Sequence, residues 1–462
     1  MQTKRPPIVT VLGHVDHGKT TLLDTIRKSS VAAREAGGIT QSIGASKVDT
    51  KRGVITFVDT PGHAVFGKMR ERGARVADIA LLVCAADDGV KPQTKEALTY
   101  ILEAQIPYIV VFTKTDLPSA NVDKAQGTLM EAGVLFEGLG GDVPSVSVSA
   151  KNGTGIDELL EMIELVAEVQ DIVADAASPF AAKVIETKKD KAGCLVSVVV
   201  TNGTLKAGMK INAGGITASV RGLFGDKGSS VKEAIPGDPV QVLGFNALPE
   251  VGADVVSADV GATVTEGAAS NQFLQRESGG EISIVLKSET AGSLEALVAS
   301  IPAGVSIVKA EVGDVIDADV FLAKASGAMI ITFESKAGSA VQKLAETESI
   351  EIKTFKIIYD LTKYLTELLE KGKEQVLGEA FILDAFPFNN KRVAGCKIMK
   401  GKLTKKDTPS LMRDGKIVGK VKILSIRKAK HEVDEVSQGE ECGILFVPQL
   451  DFQKDDVLVS AK

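Results

Sequence analysis

The sequence contains few cysteines and lacks the long hydrophobic runs of membrane spans. Its four cysteines, Cys84, Cys194, Cys396 and Cys442, are far apart and form no C-x-x-C pair, which argues against a zinc site and against a disulfide framework. No apolar run approaches the ~18 residues of a membrane helix. The N-terminal "MQTKRPP" is unlike a signal peptide. We therefore expect a cytoplasmic protein without a membrane partner, its thiols reduced.

The charge of the chain is acidic on average and basic in one region. A net charge of −6 argues against a surface uniformly adapted to nucleic acid. Residues 391–430, however, contain 14 Lys or Arg against two acids, Asp407 and Asp414. A solvated basic face would explain this run, and so would a surface that binds the RNA backbone.

A chain of 462 residues is too long for one core and predicts several domains. Between residues 6 and 172, strands alternate with helices, which predicts a mostly parallel sheet covered on both faces. Residues 179–262 contain short β-branched runs separated by glycines, which predict a small antiparallel β-barrel. A polar segment, residues 265–280, is typical of a linker or an exposed helix.

The C-terminal part continues this domain series. Residues 280–355 alternate again and predict a compact α/β domain. Residues 356–372 have leucines and isoleucines at helical spacing and Gly372 where a C-terminal cap belongs, which predicts a long linker helix. Residues 374–462 return to short strands and predict a second β-barrel, which carries the basic run. The expected fold class is thus multidomain α/β and β.

The stretch "GHVDHGKTTLLD", residues 13–24, follows a strand-like run and matches the P-loop pattern G-x-x-x-x-G-K-[ST]. The glycines, Gly13 and Gly18, let backbone N–H groups face phosphates. Lys19 adds positive charge at the β and γ oxygens, and the Thr20 hydroxyl can bind Mg²⁺. The pattern alone also occurs in many ATPases.

Two further motifs predict a metal site that responds to the nucleotide. Asp59 ends a strand in "VDTPGH" and is placed to hold Mg²⁺ through water, while Gly62 offers a backbone N–H near the γ-phosphate. Thr40 lies in the glycine-flanked "GGIT" and completes the metal shell only when that phosphate is present. Together they indicate a switch between order and disorder.

The base and the catalytic group are predicted from the remaining motifs. Asp116 in "TKTD" can accept two hydrogen bonds from guanine, and adenine lacks that pair of donors. "SAK", residues 149–151, supplies a backbone N–H and a lysine stem around the same base. The nucleotide is therefore predicted to be GTP. His63 directly follows D-T-P-G, where phosphoryl-transfer GTPases orient the attacking water.

These motifs and the stretches between them resemble bacterial translation initiation factor two over nearly the whole chain. The resemblance is carried by segments of every predicted domain, among them "AGGITQSIGA", "FVDTPGHAVFGKMRERGARVADIALLVCAADDGVKPQT", "TNGTLKAGMKI", "GLFGDKGSSVKEAIPGDPVQVLGF", "DADVFLAKASGAMIITF", "IIYDL", "AGCKIMKGKL" and "EVSQGEECGI". It implies a ribosome-stimulated GTPase that carries formylmethionyl initiator tRNA to the small ribosomal subunit and promotes joining of the large subunit. The positive charge missing from the GTPase site would come from ribosomal RNA of the large subunit.

The resemblance also implies roles for individual residues. Val15 and Ile39 correspond to an apolar gate beside His63, and Asp16 to a group that helps to hold a monovalent cation. The cofactors implied are GTP or GDP and Mg²⁺, with Thr20, Thr40 and Asp59 at the metal. The nucleotide-binding positions are Val15, Asp16, His17, Gly18, Lys19, Thr20, Thr21, Thr40, Asp59, Gly62, Thr113, Lys114, Asp116, Ser149, Ala150 and Lys151. The positions around formylmethionine and the tRNA acceptor end are Cys396, Arg427, Lys428, Glu441, Cys442 and Gly443.

The sequence departs from the family at three points. Thr113 stands where the family usually has Asn, so an amide contact near the base is replaced by a hydroxyl. Ala429 stands in place of an aromatic residue, which removes a stacking ring near the tRNA end. We expect a short form without the long N-terminal extension common in bacterial members. We also expect a monomer in solution.

Two alternatives fit parts of the same pattern. The first two domains alone would also suit an elongation-type GTPase that carries tRNA. The chain would also suit a ribosome-binding scaffold in which the nucleotide sets conformation and hydrolysis is incidental. The domains after residue 280 argue against the first alternative, and His63, Thr40 and Asp59 argue against the second.

Overall fold

The computed structural model describes residues 3–29, 40–258, 281–371, 376–388, 391–413, 416–429 and 431–461. The predictions for Ile39, for the segment 265–280 and for Gly372 lie outside these residues. The chain divides into two compact units, Met1–Thr366 and Glu367–Lys462. Among the described residues, no helix is both long and apolar enough to span a membrane.

A six-stranded sheet lies at the centre of the N-terminal domain. The strands of this domain are β1 (Thr3–Lys4), β2 (Ile8–Gly13), β3 (Gly44–Asp49), β4 (Val54–Asp59), β5 (Ile79–Ala85), β6 (Tyr108–Thr113), β7 (Ser145–Ser147) and β8 (Val173–Ala174). The sheet order is β3-β4-β2-β5-β6-β7, and all neighbours are parallel except β3 and β4. The separate pair β1 and β8 joins the two ends of the domain.

Helices cover both faces of this sheet. They are α1 (Lys19–Arg27), α2 (Gly67–Val76), α3 (Pro92–Ala104), α4 (Val122–Glu131) and α5 (Ile156–Val169), with a short 3₁₀ helix at Ala64–Phe66. Helices α1 and α5 pack on the face that carries Val9 and Leu81, and α3 and α4 pack on the face that carries Leu12 and Leu82. Strands buried on both faces are expected to be continuously apolar, as β5 is and as β2 is apart from Thr10.

The second domain is a closed antiparallel barrel. Its strands are β9 (Ala181–Asp190), β10 (Gly193–Asn202), β11 (Leu205–Lys206), β12 (Lys210–Ala213), β13 (Ile216–Gly225), β14 (Ser230–Val231), β15 (Glu233–Ala234), β16 (Pro239–Phe245) and β17 (Asp254–Ser257). The order β12-β17-β9-β10-β16-β13 returns to β12 through a β12–β13 ladder, so six strands form a ring. Register shifts in β10 at Cys194/Leu195 and Ser197/Val198 provide the local bends that a small barrel needs.

The third domain is a four-stranded parallel sheet with crossover helices. Its elements are β18 (Ile282–Ser288), α6 (Ala291–Ser300), β19 (Val305–Val312), α7 (Asp317–Ser326), β20 (Met329–Phe333), α8 (Ser339–Thr347) and β21 (Ile352–Phe355), and the sheet order is β19-β18-β20-β21. Helix α9 (Ile358–Lys371) follows directly and buries Ile358, Leu361, Leu365 and Leu369. These four side chains recur at intervals of three or four residues, which places them on one face of the helix.

The C-terminal unit is one antiparallel sheet around an apolar core. Its strands are β22 (Val376–Phe388), β23 (Lys391–Thr404), β24 (Ser410–Arg413), β25 (Lys416–Lys420), β26 (Lys422–Lys428), β27 (His431–Val433), β28 (Glu435–Ser437), β29 (Glu441–Val447) and β30 (Val457–Ala461). The sheet order is β25-β24-β30-β22-β23-β29-β26-β27, and β28 pairs with β23. The Val421 N–H donates to the Pro409 carbonyl at 2.9 Å, which links β26 to the segment before β24. The expected multidomain α/β and β fold class is confirmed.

A buried ion cluster connects strands and helix in the third domain. Lys287, 2% exposed, lies 2.8 Å from Glu311 and 3.1 Å from Asp319, which is fully buried. Lys309 lies 2.8 Å and 2.9 Å from the same two carboxylates. Asp319 also accepts from the Ile316 N–H at 3.1 Å, so it caps α7 as well. The cluster holds α7 against β18 and β19.

We expect the Asp319→Asn variant to destabilise this domain by roughly 3 kcal/mol, because it leaves the buried Lys287 ammonium with less compensation. Native-state hydrogen exchange of the β18 and α7 amides measures the opening free energy. The matched control is Asp317→Asn, an exposed acid in the first turn of the same helix, which should leave exchange within about 0.5 kcal/mol of the parent. Equal protection in both variants would contradict the assignment.

Candidate nucleotide site

The P-loop is formed where β2 turns into α1. Gly13 has a φ of +148°, and a Cβ there would lie 2.4 Å from the Val83 carbonyl oxygen, so the turn can only be glycine. Gly18, with a φ of +84°, is the N-cap of α1 and provides no side-chain hydrogen bond to it. The first N–H groups of α1 therefore have no side-chain cap, which suits them to bind an anion.

A pocket of about 490 Å³ collects most of the residues predicted for GTP. The predicted residues that line it are Val15, Asp16, Gly18, Lys19, Thr20, Thr21, Thr40, Gly62, His63, Thr113, Lys114, Asp116, Ala150 and Lys151. Two further lining residues, Leu117 and Tyr359, were not predicted. His17, Asp59 and Ser149 are buried and are not part of the lining.

Lys19 provides the positive charge of the pocket. Its side chain is only 6% exposed, and burial lowers the pKa of its ammonium to about 8. The ammonium donates to the His14 carbonyl at 2.5 Å. A Cβ at Gly62 would lie 2.4 Å from the same nitrogen and 3.2 Å from the Val15 Cα, so a larger residue at this position would displace the Lys19 ammonium. Burial destabilises the charged form of Lys19, and a bound phosphate would compensate this charge. The pocket therefore suits a phosphate group.

The oxygens predicted to hold Mg²⁺ have the chemistry that this ion prefers. The Thr20 and Thr40 hydroxyl oxygens lie 2.8 Å apart at the edge of the pocket. Asp59 is 4% exposed, and its Oδ1 has no hydrogen-bond partner among the residues that the structure describes. Burial raises the pKa of this carboxyl to about 6. Two hydroxyls and a carboxylate with an unsatisfied oxygen fit a hard divalent cation.

The base end of the pocket contains Asp116 and a residue that orients it. The Ser149 hydroxyl donates to Asp116 Oδ1 at 2.7 Å, and this hydrogen bond lowers the pKa of Asp116. The carboxylate therefore stays ionised and can accept hydrogen bonds from a base edge. Asp116 is half-buried, whereas Ser149, which orients it, is buried.

Thr113 lines the pocket next to the P-loop. Its hydroxyl donates to the His17 carbonyl at 2.6 Å, so the hydrogen bond supports the P-loop backbone rather than the base. His17 is fixed from its other side, where Nδ1 accepts from the Ala85 N–H at 3.3 Å. Burial lowers the pKa of His17 to about 4, so the ring is neutral at physiological pH. Thr113 and His17 thus connect the P-loop to the ends of β6 and β5.

His63 caps the 3₁₀ helix that follows the D-T-P-G turn. Its Nδ1 accepts from the Val65 N–H at 3.3 Å, and burial lowers the pKa of the imidazole. Its ring meets the Tyr359 ring edge-on, with centroids 4.2 Å apart and an interplanar angle of 81°. The imidazole is therefore neutral and in contact with the first turn of α9.

A fully buried arginine holds the backbone of this loop. Arg70 in α2 donates to the Pro61 carbonyl at 3.1 Å and to the His63 carbonyl at 2.5 Å. Its guanidinium also pairs with Glu96 of α3 at 2.7 Å. The Arg70 side chain thus fixes the main chain on both sides of Gly62.

The second pocket lies in the C-terminal unit and has a volume of about 430 Å³. Five of the six residues predicted for the tRNA end line it: Cys396, Arg427, Glu441, Cys442 and Gly443. The remaining lining includes the apolar side chains Leu383, Phe386, Val393 and Leu445, together with Ala429. The sixth predicted residue, Lys428, is outside the lining and pairs with Glu440 at 2.5 Å.

The two thiols of this pocket are neutral groups. Cys396 in β23 lies directly opposite Cys442 in β29. Burial raises the pKa of Cys396 far above its usual value and that of Cys442 to about 11. Protonated thiols behave as small apolar side chains, so the floor of the pocket is apolar.

Comparison with known proteins identifies the family. Residues 4–169 match the elongation factor Tu GTP binding domain, residues 179–258 match elongation factor G domain 2, and residues 263–366 match translation-initiation factor 2. Translation initiation factor IF-2 of Caldanaerobacter subterraneus subsp. tengcongensis is 41% identical over 488 residues, which cover 98% of this chain and 69% of that protein. The chain belongs to the translation initiation factor IF-2 family.

Two other curated relatives agree with this assignment. IF-2 of Thermus thermophilus is 38% identical and covers 98% of this chain and 86% of its own length. IF-2 of Aquifex aeolicus is 42% identical, with 95% of this chain and 59% of that protein covered. Among solved structures, GDP-bound aIF5B from Aeropyrum pernix has a TM-score of 0.49 at 26% identity and covers 99% of this chain and 92% of its own.

As a member of the IF-2 family, the chain is a translation initiation GTPase that binds guanine nucleotide. The predictions of the family and of GTP hydrolysis are confirmed, while the roles of individual residues remain predictions. Sequence reasoning missed Arg70 and Tyr359. For Arg70 no sequence signal was available, because an arginine in a helix is usually exposed.

We expect the Thr113→Val variant to bind GDP about tenfold more weakly, because the buried His17 carbonyl loses its donor and the P-loop becomes less ordered. Calorimetric titration with GDP measures the affinity, and hydrogen exchange of the P-loop amides measures the order. Thr113→Ser keeps the hydroxyl and should bind like the parent. Parent-like affinity in the valine variant would show that the hydrogen bond is dispensable.

Proposed function

We propose that this chain binds formylmethionyl initiator tRNA, places it on the small ribosomal subunit and promotes joining of the large subunit, with GTP hydrolysis stimulated by the ribosome. The observation that carries the proposal is the presence of two separate pockets of different chemistry. One has the donors and oxygens of a GTPase site, and the other is lined by apolar side chains and two buried thiols, with Arg427 as its cation and Asp384 and Glu441 as its acids.

In the first pocket, Lys19 and the N-terminus of α1 hold the phosphates, and Asp116 selects guanine through its oriented carboxylate. Thr20, Thr40 and Asp59 would hold Mg²⁺, which neutralises charge on the phosphate oxygens when it is bound. Thr40 lies in a loop, outside the strands and helices, so no sheet or helix fixes its position. In this proposal its position depends on the nucleotide. Asp16 would help to hold a monovalent cation.

His63 is the proposed catalytic residue and orients the attacking water. Arg70 donates to the Pro61 and His63 carbonyls and pairs with Glu96, so this arginine is not available to act as an arginine finger. We therefore expect slow hydrolysis in isolation and acceleration by ribosomal RNA. The presence of His63, Thr40 and Asp59 favours an active GTPase over a scaffold with incidental hydrolysis.

The His63→Ala variant should retain GTP affinity and lose at least about a hundredfold in ribosome-dependent single-turnover hydrolysis, as removal of a proton-handling side chain predicts. Binding of a fluorescent GTP analogue serves as the control, because His63 is not part of the phosphate cradle. Unchanged turnover with ribosomes present would remove His63 from the mechanism and favour the scaffold alternative.

In the second pocket, the thiols and apolar side chains suit a thioether side chain, and the volume lies within the ~300–1,000 Å³ typical of ligand sites. A backbone N–H of the pocket would read the formyl carbonyl, and Arg427 would bind the terminal phosphates. Strands β23 to β26 carry most of the basic run of residues 391–430, which suits an RNA backbone. Ala429 at the rim offers no ring for stacking.

The test of the cargo is protection of the aminoacyl ester of initiator tRNA from spontaneous hydrolysis. We expect strong protection of the formylated initiator, weaker protection of the unformylated one and none for elongator tRNA. Arg427→Ala should weaken protection roughly tenfold, as loss of a phosphate contact predicts. Lys422→Ala, an exposed cation at the other end of the same strand, is the matched control. Equal protection of initiator and elongator tRNA would favour an elongation-type factor.

A further inference from the structure

The first turn of α9 contacts the loop that carries Thr40. Gln41 is 3% exposed, and its side-chain amide forms two hydrogen bonds to this turn. Its Nε2 donates to the Lys356 carbonyl at 2.7 Å, and its Oε1 accepts from the Ile358 N–H at 3.2 Å. One amide thus satisfies a carbonyl and an N–H on either side of the helix start. These contacts join positions 315 and 317 residues apart in the sequence.

Gln41 is also held through its main chain. The Ser293 hydroxyl in α6 donates to the Gln41 carbonyl at 3.3 Å. The residue next to Thr40 is therefore attached both to α6 and to α9. A movement of Thr40 toward a bound nucleotide acts directly on these hydrogen bonds.

The same turn of α9 contacts the other loop of the site. Tyr359 directly follows Ile358, and its ring lies edge-on against His63 with centroids 4.2 Å apart. Its neighbours Ile358 and Leu361 are buried in the domain, whereas Tyr359 is 51% exposed and lines the nucleotide pocket. The ring is therefore not needed to fill the core. The contact with His63 is its main packing interaction that the structure describes.

The His63 imidazole has no free acceptor in this arrangement. Nδ1 accepts from the Val65 N–H, so the proton of the neutral ring lies on Nε2. A ring in this state cannot accept a proton or a hydrogen bond from water. Because Arg70 holds the His63 carbonyl, the side chain can change orientation only by rotation about its own bonds. The Tyr359 ring opposes such a rotation.

We propose that Tyr359 is a positioning residue of the GTPase reaction that holds His63 in a resting orientation, with Gln41 fixing Tyr359 at that place. The proposal rests on the proposed catalytic role of His63. Hydrolysis then requires the first turn of α9 to move off the loop, and ordering of Thr40 acts on that turn through Gln41. The first turn of α9 thus contacts both loops of the nucleotide site.

The first experiment measures the contact itself by NMR of histidine ring signals in the GDP-bound full chain. The chain has only four histidines, so the signals of His14, His17 and His431 serve as internal references. We expect the His63 signals to shift in Tyr359→Ala, because the ring current of the tyrosine is lost, and to stay near the parent in Tyr359→Phe. Tyr364→Ala, a tyrosine of the same helix that packs on Phe355, should leave them unchanged.

The second experiment measures single-turnover GTP hydrolysis without ribosomes. Tyr359→Ala should hydrolyse GTP about two- to tenfold faster than the parent, the range that loss of one aromatic contact predicts. Tyr359→Phe and Tyr364→Ala should keep the parent rate, and Gln41→Ala should change in the same direction as Tyr359→Ala. The double variant Tyr359→Ala/His63→Ala should match His63→Ala, because Tyr359 acts through His63.

Several results would overturn the proposal. An unshifted His63 signal in Tyr359→Ala would show that the rings do not touch in solution, and a slower or unchanged rate with a shifted signal would show that the contact does not restrain the reaction. Faster hydrolysis that persists in the double variant would mean that Tyr359 acts by another route. GDP affinity, measured for every variant, shows that each has folded. Failure of His63→Ala to affect ribosome-dependent turnover would instead refute the proposed function.

Discussion

The buried ammonium of Lys19 is the constraint on which the nucleotide site depends. Burial makes its charged form less stable, as the lowered pKa of about 8 shows. A polypeptide can maintain such a group only where carbonyls and an incoming anion compensate it. The P-loop provides the His14 carbonyl, and the loop after β4 approaches without a side chain at Gly62. The other residues of the pocket surround this buried ammonium.

The third domain contacts both loops that surround this charge. In α6, Ser293 binds the Gln41 carbonyl, and Glu295 pairs with Lys68 and Arg72 of α2 at 2.7 Å and 2.6 Å. The buried Glu186 of the barrel accepts from the Gly292 N–H at 3.1 Å, so the second domain also contacts the start of α6. The loop before β3 and the helix after the D-T-P-G turn are therefore supported by one helix. A change in either loop acts on the same few hydrogen bonds and ion pairs.

Much of the fold and of the pocket could be predicted because they depend on local patterns. The alternation of apolar runs predicts the parallel sheet, and the spacing of Gly13, Gly18 and Lys19 predicts the phosphate cradle. The contacts of Gln41 and Tyr359 with their partners could not be predicted in the same way, because they join segments about 300 residues apart and follow from domain packing. The hydrogen bond of the Thr113 hydroxyl to the His17 carbonyl and the ion pair of Lys428 with Glu440 could not be predicted either, because both depend on the folded backbone.

The protonated state of Cys396 and Cys442 has a further consequence for the C-terminal pocket. Electrophiles and oxidants react with the thiolate, and burial keeps that form scarce in both residues at physiological pH. The pocket can therefore line its floor with sulfur, which is soft and polarisable, without becoming a target for alkylation. Cysteine is one of the more reactive residue types, yet Cys396 and Cys442 form a chemically inert part of the pocket surface.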